Sequence, residues 1–389
     1  MTIEPFEFVV SPVEVDKVLE RVLNFDWSLV PDLGWAAGIE RGFLQRVCEH
    51  WATEWSWSTA HERLLRHRHF TAQVDGQTVQ FVHELPDERV SPVPILLLHG
   101  WPASYHEYDR VVDRLTTAGY EVIVPSLPGY AFSSPLVEPS GPRAIAAQLN
   151  HLMTEHLGFD RYVAHGGDIG AAVAGWLGCD HAQSCVAVHV NLLFRLLEGS
   201  TPTTPEELAW AERRQKAAWD GMGYHHQQTT RPVTLGIGLS DSPVGTAAWM
   251  LEKYVAWSQL AVPEDIEDVL SLDELVDIVM LYILTGTIAS STMTYYGSAS
   301  EPSGFPHRLE VPVGYAHFHE AIGFPPPLSL VEQAYPIVQW LPMERGGHFP
   351  AYEAPDLLAG AVLTFRDHPS VVAATGDAPR RAAGRDSTS

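Results

Sequence analysis

Between Pro94 and Asn191 the chain switches repeatedly between two hydrophobic periods, and this constrains its fold more than any other feature. Short apolar runs at Pro94 to Leu98, Tyr120 to Val124, Arg161 to Ala164 and Ser184 to Asn191 read as buried strands. Between them, Tyr105 to Ala118, Ala144 to His156 and Ala171 to Leu177 carry the spacing of helices. Strands buried on both faces and joined through helices build a parallel sheet with helices on either side. The alternation stops from Leu193 to Tyr296, a mostly helical, aromatic stretch that reads as a lid inserted into the sheet domain. It resumes with strand-like runs at Val311 to Phe318 and Ile337 to Leu341 and a last helix from Ala354 to Arg366.

Upstream, residues 1 to about 69 are helical in pattern, and Trp27, Trp35, Trp51, Trp55 and Trp57 look like packing anchors. Phe70 to Val74 and Thr78 to His83 alternate around Asp75-Gly76, the signature of a hairpin. No repeat of fixed period appears. The expected division is therefore an N-terminal segment with the first hairpin (1–92), a sheet domain in two parts (93–192 and 306–368), a helical lid (193–305) and a disordered tail (369–389).

With 389 residues, 46% of them hydrophobic, a large core is available. The formal net charge of -24, from 24 basic and 48 acidic residues, argues against nucleic acid and anionic lipid as partners. Cys48, Cys179 and Cys185 show neither metal-ligand spacing nor a disulfide framework, which favours a cytoplasmic setting. Met1-Thr2-Ile3-Glu4-Pro5 lacks the features of a signal peptide. The most apolar stretch, Ile278 to Ala289, is short for a bilayer span and follows Asp273, Glu274 and Asp277, so it reads as a buried helix. A soluble enzyme without a membrane anchor is expected.

The chemistry begins at Gly166-Gly167-Asp168-Ile169-Gly170, where a strand feeds a helix. In a Gly-x-nucleophile-x-Gly turn the middle side chain is held exposed at the carboxyl edge of the sheet, and here that side chain is Asp168 rather than serine. Taken alone, Asp168 is equally a helix-capping turn residue. Its neighbours in chain order favour the nucleophile. His99-Gly100-Trp101-Pro102 ends the first buried strand, where one oxyanion-hole amide belongs, and Arg345-Gly346-Gly347-His348-Phe349 places a histidine after the last strand. Glu320, in His317-Phe318-His319-Glu320, is the candidate acid to orient His348. His317, His319 and Glu320 also invite a metal reading, but spacing suggests no further ligand, so neither metal nor cofactor is expected.

These motifs resemble the microsomal and juvenile-hormone branch of the epoxide hydrolases, which have the α/β-hydrolase fold with a helical lid insertion and an N-terminal helical meander. The resemblance runs from Pro5 to Arg366. It is carried by Gly42-Phe43-Leu44, Trp51, Glu54-Trp55-Ser56-Trp57, His69-Phe70 and Val74-Asp75-Gly76 in the N-terminal part. His99-Gly100-Trp101-Pro102 and Pro125-Ser126-Leu127-Pro128-Gly129-Tyr130 carry it in the sheet domain. Asp241-Ser242-Pro243-Val244-Gly245, Thr285-Gly286-Thr287-Ile288 and Met343-Glu344-Arg345-Gly346-Gly347-His348-Phe349 complete it.

The resemblance implies hydrolysis of an epoxide to a vicinal diol through an ester on Asp168. The backbone N–H groups of Trp101 and Ile169 would form the oxyanion hole, and His348 with Glu320 would activate water. Two lid tyrosines would grip the epoxide oxygen: Tyr224, in Gly223-Tyr224-His225-His226-Gln227, and Tyr295, matched by its distance from Thr285-Gly286-Thr287, with Tyr296 adjacent. Two departures stand out. Ile169 replaces the tryptophan common after the nucleophile, which changes the pocket floor. The orienting acid usually lies three residues past the position of Phe318, where this chain has Ala321, so Glu320 is one position early. The expected partners are a small-molecule epoxide and water, with a homodimer as the default assembly. Similarity to soluble bacterial members points to bulky aryl epoxides and to enediyne antibiotic biosynthesis. The rival readings are a haloalkane dehalogenase, which would want halide-binding N–H donors in place of the tyrosines, and a non-catalytic ligand-binding relative.

Overall fold

The run Ile95-Leu96-Leu97-Leu98 is wholly buried because it lies inside a nine-stranded sheet with helices on both faces. In the computed structural model, which describes residues 2–91, 93–193, 195–321 and 324–376, the strands are β1 (Ile3–Pro5), β2 (His69–Val74), β3 (Gln77–Glu84), β4 (Ile95–Leu98), β5 (Val122–Pro125), β6 (Tyr162–Gly166), β7 (Cys185–Val190), β8 (Val313–His317) and β9 (Ile337–Pro342). Their order is β1-β2-β3-β5-β4-β6-β7-β8-β9. From β5 to β9 all neighbours are parallel, as the alternation requires. β1, β2 and β3 form an antiparallel flank, and β3 pairs antiparallel with β5. The β2–β3 turn takes positive φ at both Asp75 (51°) and Gly76 (82°), the twist a two-residue hairpin needs.

Because side chains alternate along β4, Leu96 and Leu98 join one hydrophobic cluster while Ile95 and Leu97 join another. The N-terminal helices are α1 (Pro12–Leu23), α2 (Arg41–Thr53) and α3 (Trp57–Leu64), and the sheet-covering helices that follow are α4 (Asp109–Thr117), α5 (Pro142–His151) and α6 (Asp168–Asp180). The lid comprises α7 (Pro205–Gly221), α8 (Gly223–Thr230), α9 (Pro232–Asp241), α10 (Pro243–Trp257), α11 (Ile266–Val269), α12 (Leu272–Thr285) and α13 (Ile288–Ser298). After it come α14 (Leu328–Ala334), α15 (Pro350–Glu353), α16 (Pro355–Arg366) and α17 (Pro369–Thr375).

The N-terminal helices grip the lid. Trp51 is fully buried and Trp55 nearly so, and α2 packs against α12. Asp277 of α12, wholly buried, is held by Arg63 through Nε at 2.7 Å and Nη2 at 3.0 Å and by Trp55 Nε1 at 2.8 Å. Removing one partner of so buried an ion pair costs about 3–5 kcal/mol.

Four local expectations change. The first residues are not helical throughout: Ile3–Pro5 is an edge strand paired with β2, too short to show a period, and an edge tolerates its proline. The helix expected over Ala144 to His156 becomes π-helical from Leu152 to His156. The apolar run Ile278 to Ala289 is two helices, since Gly286 takes the left-handed conformation (φ 66°) and α12 and α13 meet at 85°. Among the described residues no single helix is long and apolar enough to cross a membrane. Lastly, the tail does not start at 369: α17 docks through buried Val371 and Thr375, and only residues 377–389 of that segment lie outside the described residues.

Candidate active site

Asp168 ends the tight connection between β6 and α6 with φ of 47°, a conformation that L residues adopt only when their surroundings enforce it. The enforcement is steric. A Cβ on Gly170 would lie 1.9 Å from the Leu98 carbonyl oxygen, and one on Gly100 would lie 2.3 Å from the Asp168 Cβ. Glycine at these positions lets β4 and the turn close on each other. The Asp168 carboxylate therefore sits at the first turn of α6, where the helix dipole favours negative charge. Its Oδ1 accepts the Trp101 N–H at 3.0 Å, and the Ile169 N–H also faces it.

His348, 4% exposed, points Nε2 at Asp168 Oδ2, 3.5 Å away, and places Nδ1 2.9 Å from both oxygens of Glu320. The one-residue offset of Glu320 has a local cause. The chain leaves β8 in a tight turn in which Glu320 N–H donates to the Phe318 carbonyl at 2.9 Å, while His319 N–H donates to Gly346 at 2.8 Å. That turn brings the earlier acid back to the imidazole. Burial works against charge on Asp168, but His348 and the Trp101 and Ile169 amides outweigh it and hold the carboxyl below its ordinary range. Burial likewise opposes charge on His348, and Glu320 and Asp168 outweigh it, so the imidazole is raised well above its usual value.

Above Asp168 lies a cavity of about 270 Å³. Ile169, Ala172, Leu192, Leu193, Met222 and Phe324 give it apolar walls, and Tyr224 and Tyr295 reach it from α8 and α13. The two phenol rings stand at 82° with centroids 5.9 Å apart, and Tyr224 stacks on Trp101 at 5.3 Å. Burial first raises both hydroxyls well above 10, helped by Asp168 at Tyr224 and by Tyr224 and then Asp168 at Tyr295, which keeps both neutral; the two hydroxyls also hydrogen-bond to each other. Tyr295 is 7% exposed and Tyr296 is 45% exposed, so Tyr295 is the one that faces the cavity.

Every residue proposed from sequence is thus drawn to one place: Asp168, Trp101 and Ile169 at the strand ends, His348 and Glu320 beside them, Tyr224 and Tyr295 across the cavity. His317 instead stacks on Tyr315, and among the described residues no group of three or more His, Cys, Asp or Glu is placed to hold a metal. Sequence reasoning missed three supports. Glu353 accepts the N–H groups of Gly347 (2.7 Å), Phe349 (2.9 Å) and Gln259 (2.7 Å), fixing the His348 loop to the end of α10. The Trp257 ring lies 4.9 Å from that of His348, and its carbonyl accepts the His348 N–H at 3.0 Å. Glu107 is buried behind the nucleophile. The only signal for it was a carboxylate closely following His99-Gly100-Trp101-Pro102.

Comparison with known proteins identifies the family and the fold. A family profile described as "Epoxide hydrolase N terminus" matches residues 3–108, and one for the alpha/beta hydrolase fold matches residues 93–221. A putative epoxide hydrolase of Stigmatella aurantiaca is 35% identical over 92% of this chain and 83% of its own length. Epoxide hydrolase 1 of Sus scrofa is 30% identical over 94% of this chain and 88% of its own. Among solved structures, juvenile hormone epoxide hydrolase from the silkworm Bombyx mori superposes with a TM-score of 0.83 at 27% identity, covering 93% of each chain. Aspergillus niger epoxide hydrolase superposes with a TM-score of 0.80 at 29% identity, covering 94% of this chain and 96% of its own.

Proposed function

This chain belongs to the epoxide hydrolases, and from that premise we propose that it opens its substrate through a covalent ester on Asp168. The observation that carries this reading is the pairing of Asp168 with a Glu320-supported His348 on one side and two neutral tyrosines on the other.

An epoxide carbon is saturated, so it must be displaced from behind while the leaving oxygen is protonated. With Oδ1 held by the Trp101 amide, Oδ2 attacks carbon, the C–O ring bond breaks, and the oxygen takes a proton from Tyr224 or Tyr295. Esterification removes the Asp168 charge, and His348 gives its proton to the tyrosinate; water then adds to Asp168 Cγ as its proton passes to the now neutral His348 Nε2. The Trp101 and Ile169 amides stabilise the oxyanion on Oδ1. Collapse breaks Cγ–Oδ2, the diol leaves with that oxygen and the imidazolium proton, and the second proton from water returns His348 to its resting imidazolium. Asp168 keeps the oxygen of water.

The aromatic and aliphatic lining supports a bulky or aryl epoxide as substrate. The resemblance to bacterial members adds enediyne antibiotic biosynthesis as the setting, and three buried free cysteines support a reducing cytoplasm. A homodimer completes the proposal. The test is intact-protein mass spectrometry with styrene oxide: His348→Gln should gain the mass of one epoxide, mapped to Asp168, and Asp168→Ala should turn over nothing. Ordinary turnover by Asp168→Ala overturns the mechanism, and a chiral assay of the diol reads the preference for enantiomer and carbon.

A further inference from the structure

Asp168 lines two cavities. One is the substrate-sized space above it; the other, about 10 Å³, lies towards His348 and is walled by Gly100, Trp101, Asn191, Phe349 and Glu107 among others. A volume near 10 Å³ suffices for about one water molecule, provided that roughly two to four polar groups surround it. Glu107, Asp168, Asn191 and His348 supply such groups.

Glu107 and Asn191 are the members that the ester mechanism leaves unused, and of these Glu107 is the titratable one. It lies in the short turn Tyr105–Tyr108, one turn beyond the Trp101 amide, and is 7% exposed. The charged groups that act on it are His348 and Asp168. A buried carboxyl is costly unless it is hydrogen-bonded; Tyr108 supplies one such bond, and a water in the cavity that Glu107 lines would supply another.

We infer that the small cavity seats the hydrolytic water and that Glu107 holds it there, with a lone pair directed at Asp168 Cγ and an O–H directed at His348 Nε2. The inference rests on the ester reading and adds a positioning residue to it. Substrate and water then reach Asp168 from opposite sides, so the water need not be displaced when the epoxide binds. In the hydrolytic step the water oxygen bonds to Cγ and its proton goes to His348; Glu107 neither gains nor loses a proton. Burial pushes the Glu107 carboxyl up to about 8, His348 opposing and Asp168 adding. Tyr108, Tyr254, Tyr282 and Tyr352 also surround it, and burial raises all four hydroxyls well above 10. At neutral pH Glu107 is therefore a neutral acid, able to donate and to accept.

Quenched-flow mass spectrometry of a single turnover with styrene oxide separates ester formation from ester decay in the parent enzyme, Glu107→Leu and Glu107→Gln. Formation should proceed at the parent rate in both variants. Decay should slow about 10- to 100-fold in Glu107→Leu, the scale of a misplaced reactant. Glu107→Gln should stay close to the parent at neutral pH and lose the inflection near pH 8 in the decay rate. Parent-like decay in Glu107→Leu, or an equal fall in formation and decay, overturns the inference while leaving the ester reading intact. Should the leucine variant not fold, an unchanged pH profile in Glu107→Gln overturns it. A parent enzyme that forms no ester removes both.

Discussion

The sheet side and the lid side of the site are finished to different degrees. On the sheet side the reacting groups already have protein partners: the Trp101 amide for Asp168 Oδ1, Glu320 for His348 Nδ1, and Glu353 for the loop that carries the histidine. On the lid side the buried Tyr295 hydroxyl has only the neighbouring Tyr224 hydroxyl for a partner. One side is assembled in advance around a charge, while the other holds two neutral hydroxyls, with no partner but each other, for the substrate oxygen.

Loosening the sheet side has the largest expected effect. Gly170→Ala forces a Cβ against the Leu98 carbonyl, backbone against backbone, and should cost about 3 kcal/mol or more together with most of the activity. Urea denaturation checks it, and a variant as stable as the parent would mean the turn is not rigid. Next in size, Glu320→Gln removes the charge that supports the imidazolium. Ester decay should slow about 100-fold with formation retained, so the adduct accumulates in rapid-quench mass spectra. Unslowed decay would show that Glu320 does no more than pack.

On the lid side Tyr295→Phe should slow ester formation about tenfold, since Tyr224 remains, and leave decay alone. Its stability should change by less than about 1 kcal/mol, because the only partner lost is another hydroxyl, whereas a large drop in melting temperature would contradict the asymmetry. Exposed Tyr296→Phe should change neither step.

The smallest effect concerns the sheet interior beneath the site, where His165 of β6 and His189 of β7 meet at 2.9 Å. Burial lowers His165 to about 3 and His189 well below its usual 6.5. Below pH 6.5 the unfolded chain therefore binds protons that the folded one refuses, and stability is lost as pH falls. From pH 7 to 5.5 the loss should be about 1 kcal/mol for each histidine. Urea midpoints at the two pH values check it, and an unchanged midpoint refutes it.

The sheet side was also the more legible in sequence. Asp168 stands between glycines that its turn demands, and His348 follows the last strand between residues that mark a loop. Glu320 was placed with an offset because the turn closed by Phe318 is a backbone bond, invisible in residue types. The lid tyrosines were harder to find: many tyrosines lie in apolar surroundings, and only the Gly286 break fixes how α13 presents Tyr295 rather than Tyr296. Ile3–Pro5 escaped notice because its pairing is supplied wholly by a distant strand. Glu107 and Glu353 act across long sequence separations, and no local period announces such contacts.

The grip of Arg63 and Trp55 on Asp277 bears on how this architecture can be reshuffled. A lid exchanged between two relatives would arrive with a buried aspartate whose counter-charge was left behind in the N-terminal helices. The two stretches, far apart in the chain, act as one structural piece. Chimaeras built at the apparent lid boundaries should fail unless residues 41–64 travel with them.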